Sequence, residues 1–296
     1  MRRRRRLTWQ GARIDWAAYG FLLPFAVPFL TLTLGAALFG FYVSFTDWGI
    51  FGEPRWIGLE NYQRALGDPW VGRAWLNTLR YGLFVVPGTT VVALLMALYV
   101  NQRWRGFTLA RTAFYAPNVV SVTVIGLVWV WMLDTQHGLV NQALGALGVP
   151  PVPWLTSPDW VRTGIGVASI WWDAGFSMVI LLAGLQDIPR ELRETASLDG
   201  ASAVQTIWYV TLPLLRPALS LVLTLLTIGA LRVFSQIYIM TNGGPAGASG
   251  SVIFYVWEVG FAKYQLGYAA AISTLLFVTI LSLTLLQLRV FRETTW

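Results

Sequence analysis

The 296-residue chain is 56% hydrophobic and only 12% charged, with a mean hydropathy of +0.58. A soluble domain carries about 25% charged residues, so a wholly water-facing surface is excluded. The absence of cysteine removes disulfides and thiolate metal sites, and the single histidine, His137, cannot build a histidine metal cluster or a catalytic triad.

The net charge of +7 would suit nucleic acid, yet the chain opens on Arg2 to Arg6 directly before an apolar block. Basic residues of membrane proteins collect on cytoplasmic segments, so this run reads better as a topology anchor. The basic tail is placed at 1–16 and a first transmembrane helix at 17–46. A cleaved signal peptide is the alternative. The block is longer than a signal h-region, contains Pro24 and Pro28, and is followed by Thr46-Asp47-Trp48-Gly49 rather than a small-x-small site. An outer loop at 47–74 is rich in Gly, Pro and aromatic residues.

The core, 75–288, holds five more apolar blocks near 75–100, 114–133, 161–185, 218–240 and 267–288. Each supplies the roughly 20 residues that cross a hydrocarbon layer about 30 Å thick. Pro150, Pro151, Pro153 and Pro158 mark a loop, Asn242-Gly243-Gly244-Pro245 opens a turn, and 252–262 reads as a short helix. The expected fold is an all-α membrane protein of six transmembrane helices, closed by a tail at 289–296. No internal repeat is apparent.

Charge chooses the orientation. With the N-terminus inside, the inner segments collect Arg2 to Arg6, Arg13, Arg103, Arg105, Arg111, Arg190, Arg193, Arg216, Arg289 and Arg292. The outer ones hold Arg55, Arg64, Arg73 and Lys263, and the outer segment 134–160 has no Lys or Arg. Both termini are therefore expected in the cytoplasm of a multi-pass cell-membrane protein.

Three charges fall inside the blocks. Arg80 is expected near the outer end of the second span, where it can snorkel. Asp173 is expected near the middle of the fourth and Arg232 in the outer half of the fifth. An isolated charge at that depth costs at least about 2.5–3.5 kcal/mol, so each should face protein or water. Two readings stay open. One is an interhelical Asp173–Arg232 pair that fixes packing. The other is a polar path for a solute, with Trp171, Trp172, Phe176 and Gln236 nearby to add aromatic faces and hydrogen bonds. Interfacial anchoring is the commoner duty of tryptophan, of which there are sixteen.

The inner loop 186–216 is not a slack connector. Asp187 can cap a helix, Pro189 suits its first turn, Glu191 lies near its positive end, and Gly200 fits just past its C-terminus. A second short stretch from Ala201 to Thr211 carries Ile207, Trp208 and Val210, before Pro213 and Pro217 break the chain. A helix–turn–helix at the membrane surface is expected, presenting a knob to a partner.

Here Glu194-Thr195-Ala196-Ser197-Leu198-Asp199-Gly200-Ala201, followed by Val210-Thr211-Leu212-Pro213, resembles the EAA loop of binding-protein-dependent ABC importer permeases. That pattern runs Glu-Ala-Ala, three residues, Gly, nine residues, Ile-x-Leu-Pro. Glu194, Ala196, Gly200, Leu212 and Pro213 match at the family spacing, and Asp199 and Ala201 match its extended form. Thr195 and Val210 depart from it. Gly58-Leu59-Glu60-Asn61-Tyr62, Asn77-Thr78, Leu182 to Pro189, Thr241 to Pro245 and Gly267 to Ala271 are similar to the carbohydrate branch, maltose-transporter-like or glycerol-phosphate-like. The large outer-loop insert of the maltose protein itself is missing.

The resemblance implies the type I ABC importer transmembrane fold and a permease that is not itself an enzyme. It would work with a second permease subunit, two ATPase subunits that bind ATP and Mg, an extracytoplasmic solute-binding protein and membrane lipid, and without nucleic acid. It implies ATPase coupling through Glu194, Ala196, Asp199, Gly200, Ala201, Leu212 and Pro213. The other readings are an ion-driven secondary transporter, which should show repeated halves and broken midplane helices; an ABC permease for a non-sugar solute such as glycerol phosphate; and a membrane enzyme, for which no metal cluster, thiol or paired inward carboxylates are present in the sequence.

Overall fold

The structure, a computed structural model, describes residues 16–49, 52–102 and 106–291. The anchors Arg2 to Arg6, Arg13, Arg103, Arg105 and Arg292 lie outside the described residues, as does most of the two tails.

The first apolar block forms α1 (Trp16–Pro28), a π-helical stretch Phe29–Gly35 and α2 (Ala36–Val43). The π-helical stretch follows Pro28, which has no N–H to donate to the α ladder. None of the most apolar 18-residue window of Gly20–Val43 is buried inside the chain, and only α2 packs near the last helix. A two-residue hairpin follows, β1 (Thr46–Asp47) pairing antiparallel with β2 (Arg55–Trp56), then α3 (Glu60–Gly67). The amide of Asn61 donates to the carbonyls of Ser44 and Thr46, fastening α3 to the end of α2.

The second block is longer than its apolar run suggests. α4 (Pro69–Asn101) has 33 residues, about 50 Å at 1.5 Å per residue. Asp68 caps it by accepting from the Trp70 N–H at 2.8 Å, and Pro69 takes the first helical position, where its missing N–H costs nothing. Its buried positions Val71, Ala74, Thr78, Tyr81, Val85, Thr89, Ala93, Ala97 and Val100 repeat at three- and four-residue steps, a single stripe along one face.

The third block departs from the expected straight span. It is split into α5 (Phe107–Val119) and α6 (Val122–Met132), bent by 99°. Pro117 and the extended backbone at Val120 and Ser121 end α5, and the Ser121 side chain caps α6. α7 (Leu139–Ala146) and the proline loop cover one end of the bundle. There Asn141 donates to the carbonyls of Thr135 and Val152 and accepts from the Val152 N–H and the Trp154 indole.

α8 (Val161–Asp187) is the innermost long helix, with 56% of its most apolar window buried. α9 (Arg190–Leu198), α10 (Ala203–Thr206), a π-helical stretch Ile207–Thr211 and α11 (Leu212–Leu214) follow it. The expected Asp187 cap does not form: Asp187 is the last residue of α8, and the N-cap of α9 is Pro189, whose side chain makes no capping bond. Pro213 and Pro217 each sit in the first turn of a helix, α11 and α12 (Arg216–Leu231), either side of a 72° bend.

The fifth block is also interrupted: α12 ends at Arg232, and α13 (Ser235–Thr241) starts after Phe234. The expected helix at 252–262 is α14 (Val252–Trp257) with a π-helical extension Glu258–Ala262, and α15 (Leu266–Val290) ends the described chain. Four helical segments, Gly20–Val43, Pro69–Asn101, Val161–Asp187 and Leu266–Val290, are long and apolar enough to cross a bilayer, or up to six spans if each bent pair counts as one.

Three buried clusters are strung along α4. Val71 and Ala74 pack with Val252, Tyr255, Tyr268 and Ile272 of α14 and α15. Tyr81 and Val85 pack with Trp129, Ile165 and Ile237 of α6, α8 and α13. Ala93, Ala97 and Val100 pack with Met178, Leu181, Leu185, Ile188 and Leu215. The 186–216 loop therefore leaves the bundle at the end where α4 finishes.

Candidate functional site

The 186–216 loop is held by local hydrogen bonds that follow from its residue order. At the end of α9 the Ala201 N–H donates to the Ala196 carbonyl at 3.0 Å and the Gly200 N–H to the Ser197 carbonyl at 3.1 Å. This is a Schellman closure, which requires a left-handed residue just past the cap. Gly200 has φ +81° and a Cβ placed there would meet open space, so the glycine serves backbone conformation rather than fit. One residue later Ser202 and Gln205 form a reciprocal capping box at the start of α10. Two helix ends are thereby locked around a turn of a few residues.

Among its exposed polar residues the knob also shows large apolar side chains. Leu198 is 87% exposed, Tyr209 78% and Trp208 64%, with Glu194 and Asp199 exposed beside them. Among the described side chains of α9, none is buried. A shallow notch of about 290 Å³ between the turn and the second arm is lined by Asp199, Gly200, Ala201, Gln205 and Tyr209. The roots of the knob are buried instead: Ile188 at the entry and Leu215 at the exit belong to the cluster that holds the ends of α4 and α8. Leu212 is half-buried and Pro213 exposed near the exit.

A second feature lies halfway along α8. A cavity of about 250 Å³ opens between α4, α8 and α12, lined by Tyr81, Trp172, Asp173, Phe176, Ser177, Gln236 and aliphatic side chains of α12. Of the expected path residues, the structure brings Asp173, Phe176 and Gln236 to this cavity. It does not bring Trp171, which packs edge-on against Trp129 at 5.8 Å, or Arg232, which is exposed at the end of α12. The alternative reading, an Asp173–Arg232 ion pair, is not formed among the described residues. Arg80, expected near the end of its span, is exposed on the third turn of α4.

Tyr81 and Ser177 line the cavity without having been expected. Ser177 was within reach of the sequence, because Asp173 and Ser177 are four residues apart and share a helix face. Tyr81 was not, since only the packing of α4 on α8 brings it there. Its hydroxyl donates to Ser169 Oγ at 2.8 Å.

Two of the helical blocks are broken, and the backbone at each break takes a donor from a distant side chain. The Trp172 indole donates to the Pro117 carbonyl at 2.9 Å, at the α5–α6 bend. Ser251 donates to the Val233 carbonyl at 2.6 Å, at the α12–α13 break. Asn77 and Thr78 hold the loop that carries Ser251: Asn77 donates to the Gly247 and Gly250 carbonyls, and Thr78 Oγ1 accepts from the Val252 N–H. Arg162 adds a bond to the Ala248 carbonyl at 2.9 Å. Backbone at membrane depth is tolerated where protein satisfies it in this way.

Comparison with known proteins follows the same outline. Residues 89–294 match the family described as the binding-protein-dependent transport system inner membrane component. A trehalose/maltose transport system permease protein of Thermococcus litoralis is 36% identical over 278 residues, 93% of this chain and 93% of that protein. An arabinooligosaccharides transport system permease protein of Bacillus subtilis is 31% identical over 92% of this chain and 88% of its own length. Among solved structures, a chain of a bacterial ABC transporter involved in the import of the acidic polysaccharide alginate superposes with a TM-score of 0.83 at 26% identity, covering 95% of this chain and 97% of that one. The same kind of transporter in complex with an alginate pentasaccharide-bound periplasmic protein gives 0.81.

Proposed function

The chain belongs to the family of binding-protein-dependent transport system inner membrane components, and from that premise we propose that it is the permease subunit of an ABC importer that moves a sugar or oligosaccharide across the cell membrane. ATP would be hydrolysed, with Mg, in two separate ATPase subunits. A second permease subunit would complete the path, and an extracytoplasmic binding protein would deliver the solute. Six spans with both termini in the cytoplasm agree with the arginine distribution, the knob then lying inside and α7 outside.

The observation that carries this reading is the knob itself. A stiff, solvent-facing turn that shows large apolar side chains would be a liability unless a partner covers it. Its roots, Ile188 and Leu215, sit in the core that packs the end of α8, and α8 also lines the cavity. A cleft on an ATPase that received Leu198, Trp208 and Tyr209, with Glu194 and Asp199 at its rim, could move the knob as one body. The displacement would reach the cavity along α8. The nucleotide-bound and nucleotide-free ATPases would then bias two packings of the bundle, which is what coupling requires. Sugar as the cargo class rests on the named relatives and on the polar and aromatic lining around Asp173.

The test is uptake by the complete importer in liposomes with ATP inside. Gly200→Trp should cut ATP-driven uptake at least about tenfold, because a bulky side chain at φ +81° both strains the turn and blocks a cleft. Normal uptake by that variant with its ATPase still bound would sink the coupling assignment. Uptake that persists without any ATPase subunit would point to an ion-driven carrier instead.

A further inference from the structure

We propose that Asp173 makes the membrane path of this chain a charge filter, open to neutral and amino-bearing saccharides and closed to saccharides that carry carboxylates. The proposal rests on the sugar-permease reading and narrows its substrate class.

Among the described residues, Asp173 is the one lining side chain of the cavity that can carry a charge at neutral pH, and no Arg, Lys or His lines it. Arg232, the nearest charge in sequence on the facing helix, is exposed and lies outside the lining. Among the described residues Asp173 has no ion pair, and no hydrogen bond satisfies Asp173, Ser177 or Gln236. These three side chains therefore keep their acceptors and donors for whatever enters. Tyr81 is already committed to Ser169 and holds its ring against the same space. Trp172 and Phe176 add aromatic surface on the α8 side.

That inventory fits hydroxyl groups. A carboxylate accepts from two or more of them, Gln236 and Ser177 both donate and accept, and an aromatic face takes the C–H face of a pyranose. An ammonium group would do better still, because it pairs with Asp173 where water is scarce. A uronate would set its own carboxylate against Asp173 in a low-dielectric space with no cation to separate them, and the like charges repel most strongly there. The filter acts through the charged carboxylate, so a neutral side chain of the same shape removes the repulsion. At about 250 Å³ the cavity is smaller than the roughly 300–1,000 Å³ of a complete small-molecule site. It suits one sugar unit against one wall of a path whose other wall is a second subunit. Charge is a real variable among relatives: the structural neighbour imports an acidic polysaccharide, and a sulfoquinovosyl glycerol permease protein of Agrobacterium fabrum is 33% identical.

The experiment measures equilibrium binding of three probes of equal length to the purified complex of this chain with its second permease and ATPase subunits, without the binding protein that would pre-select. The probes are maltotriose, a glucosamine trimer and trigalacturonate. The wild-type complex should bind the first two at least about tenfold more tightly than the third. Asp173→Asn, which keeps the shape, should bring trigalacturonate to within about threefold of maltotriose and weaken the glucosamine trimer. Asp173→Glu should keep the wild-type order, which a merely structural aspartate would not dictate. Wild-type binding of trigalacturonate as tight as maltotriose, or an unchanged ratio in Asp173→Asn, overturns the filter and leaves the permease reading standing. Failure of all three probes to bind a complex that still holds its ATPase subunits overturns the sugar reading and the filter with it.

Discussion

At Gly175 the helices α5 and α8 meet backbone to backbone. A Cβ there would overlap the Phe114 carbonyl oxygen, and the neighbouring Trp172 indole ties α8 to the Pro117 carbonyl. Together they tie α8 to the 99° bend between α5 and α6. Gly175→Ala should therefore cost about 1–3 kcal/mol as overpacking, or more where two backbones collide. Trp172→Phe should cost about 0.5–1.5 kcal/mol by removing one of the two hydrogen bonds to the Pro117 carbonyl, which also accepts from the Val120 N–H. Thermal melting of the detergent-solubilised complex reads both. The double variant should lose less than the sum, since either change alone loosens the same contact. Melting equal to wild type in both single variants would mean that the bend is held elsewhere.

At the scale of elements, the end of the bundle opposite the knob is tied by one carboxylate. Asp68 Oδ2 accepts from the hydroxyls of Tyr255 and Tyr268, each at 2.8 Å, while its other oxygen caps α4. Arg64 lies 4.0 Å above the Tyr268 ring. One side chain thus joins the starts of α4 and α15 to α14. Burial alone would push the Asp68 carboxyl up; the bonds from Tyr268, the Trp70 N–H and Tyr255 outweigh it and hold the group below its usual 3.8. A carboxyl lowered on folding lends stability that is fully present above its unfolded value and drains as pH falls through the lowered one. Asp68→Asn should melt earlier than wild type at pH 7, and the gap should shrink below about pH 4. A gap that stays constant from pH 7 to pH 3 would refute the clamp.

The knob shows which elements the sequence could reveal. Its Schellman closure and capping box span residues 196–205, so the spacing that marks the motif is the spacing of the bonds themselves. The Asp187 cap failed because α8 runs two residues further than its apolar run, a boundary set where Leu185 and Ile188 pack in the cluster with Val100. The motif Gly58 to Tyr62 was legible as a pattern, but its physical work, Asn61 bridging to Ser44 and Thr46, needs the fold.

On the scale of the whole molecule, the chain offers a clean test of orientation because it has no cysteine. Leu198 on the knob and Leu147 past α7 are 87% and 80% exposed at opposite ends of the bundle. In intact cells, or in spheroplasts where an outer barrier must be removed, a membrane-impermeant maleimide should label Leu147→Cys and leave Leu198→Cys untouched until the membrane is opened. The reverse pattern would invert the topology. The segment Gly20–Val43, with no residue of its apolar window buried in its own chain, belongs to this scale too: its environment is lipid or another subunit.

The sequence by itself determined the membrane, the apolar blocks and the turn at 196–205, because hydropathy and helix-end hydrogen bonds act between residues a few positions apart. Only the tertiary structure decided where the third and fifth blocks break and that a cavity lies between α4, α8 and α12. The carbonyl at Pro117 takes a second donor from a tryptophan 55 residues away, and the one at Val233 takes its donor from a serine 18 residues on. A helix can be interrupted inside a membrane when another element satisfies its backbone, and no local window of sequence contains both partners.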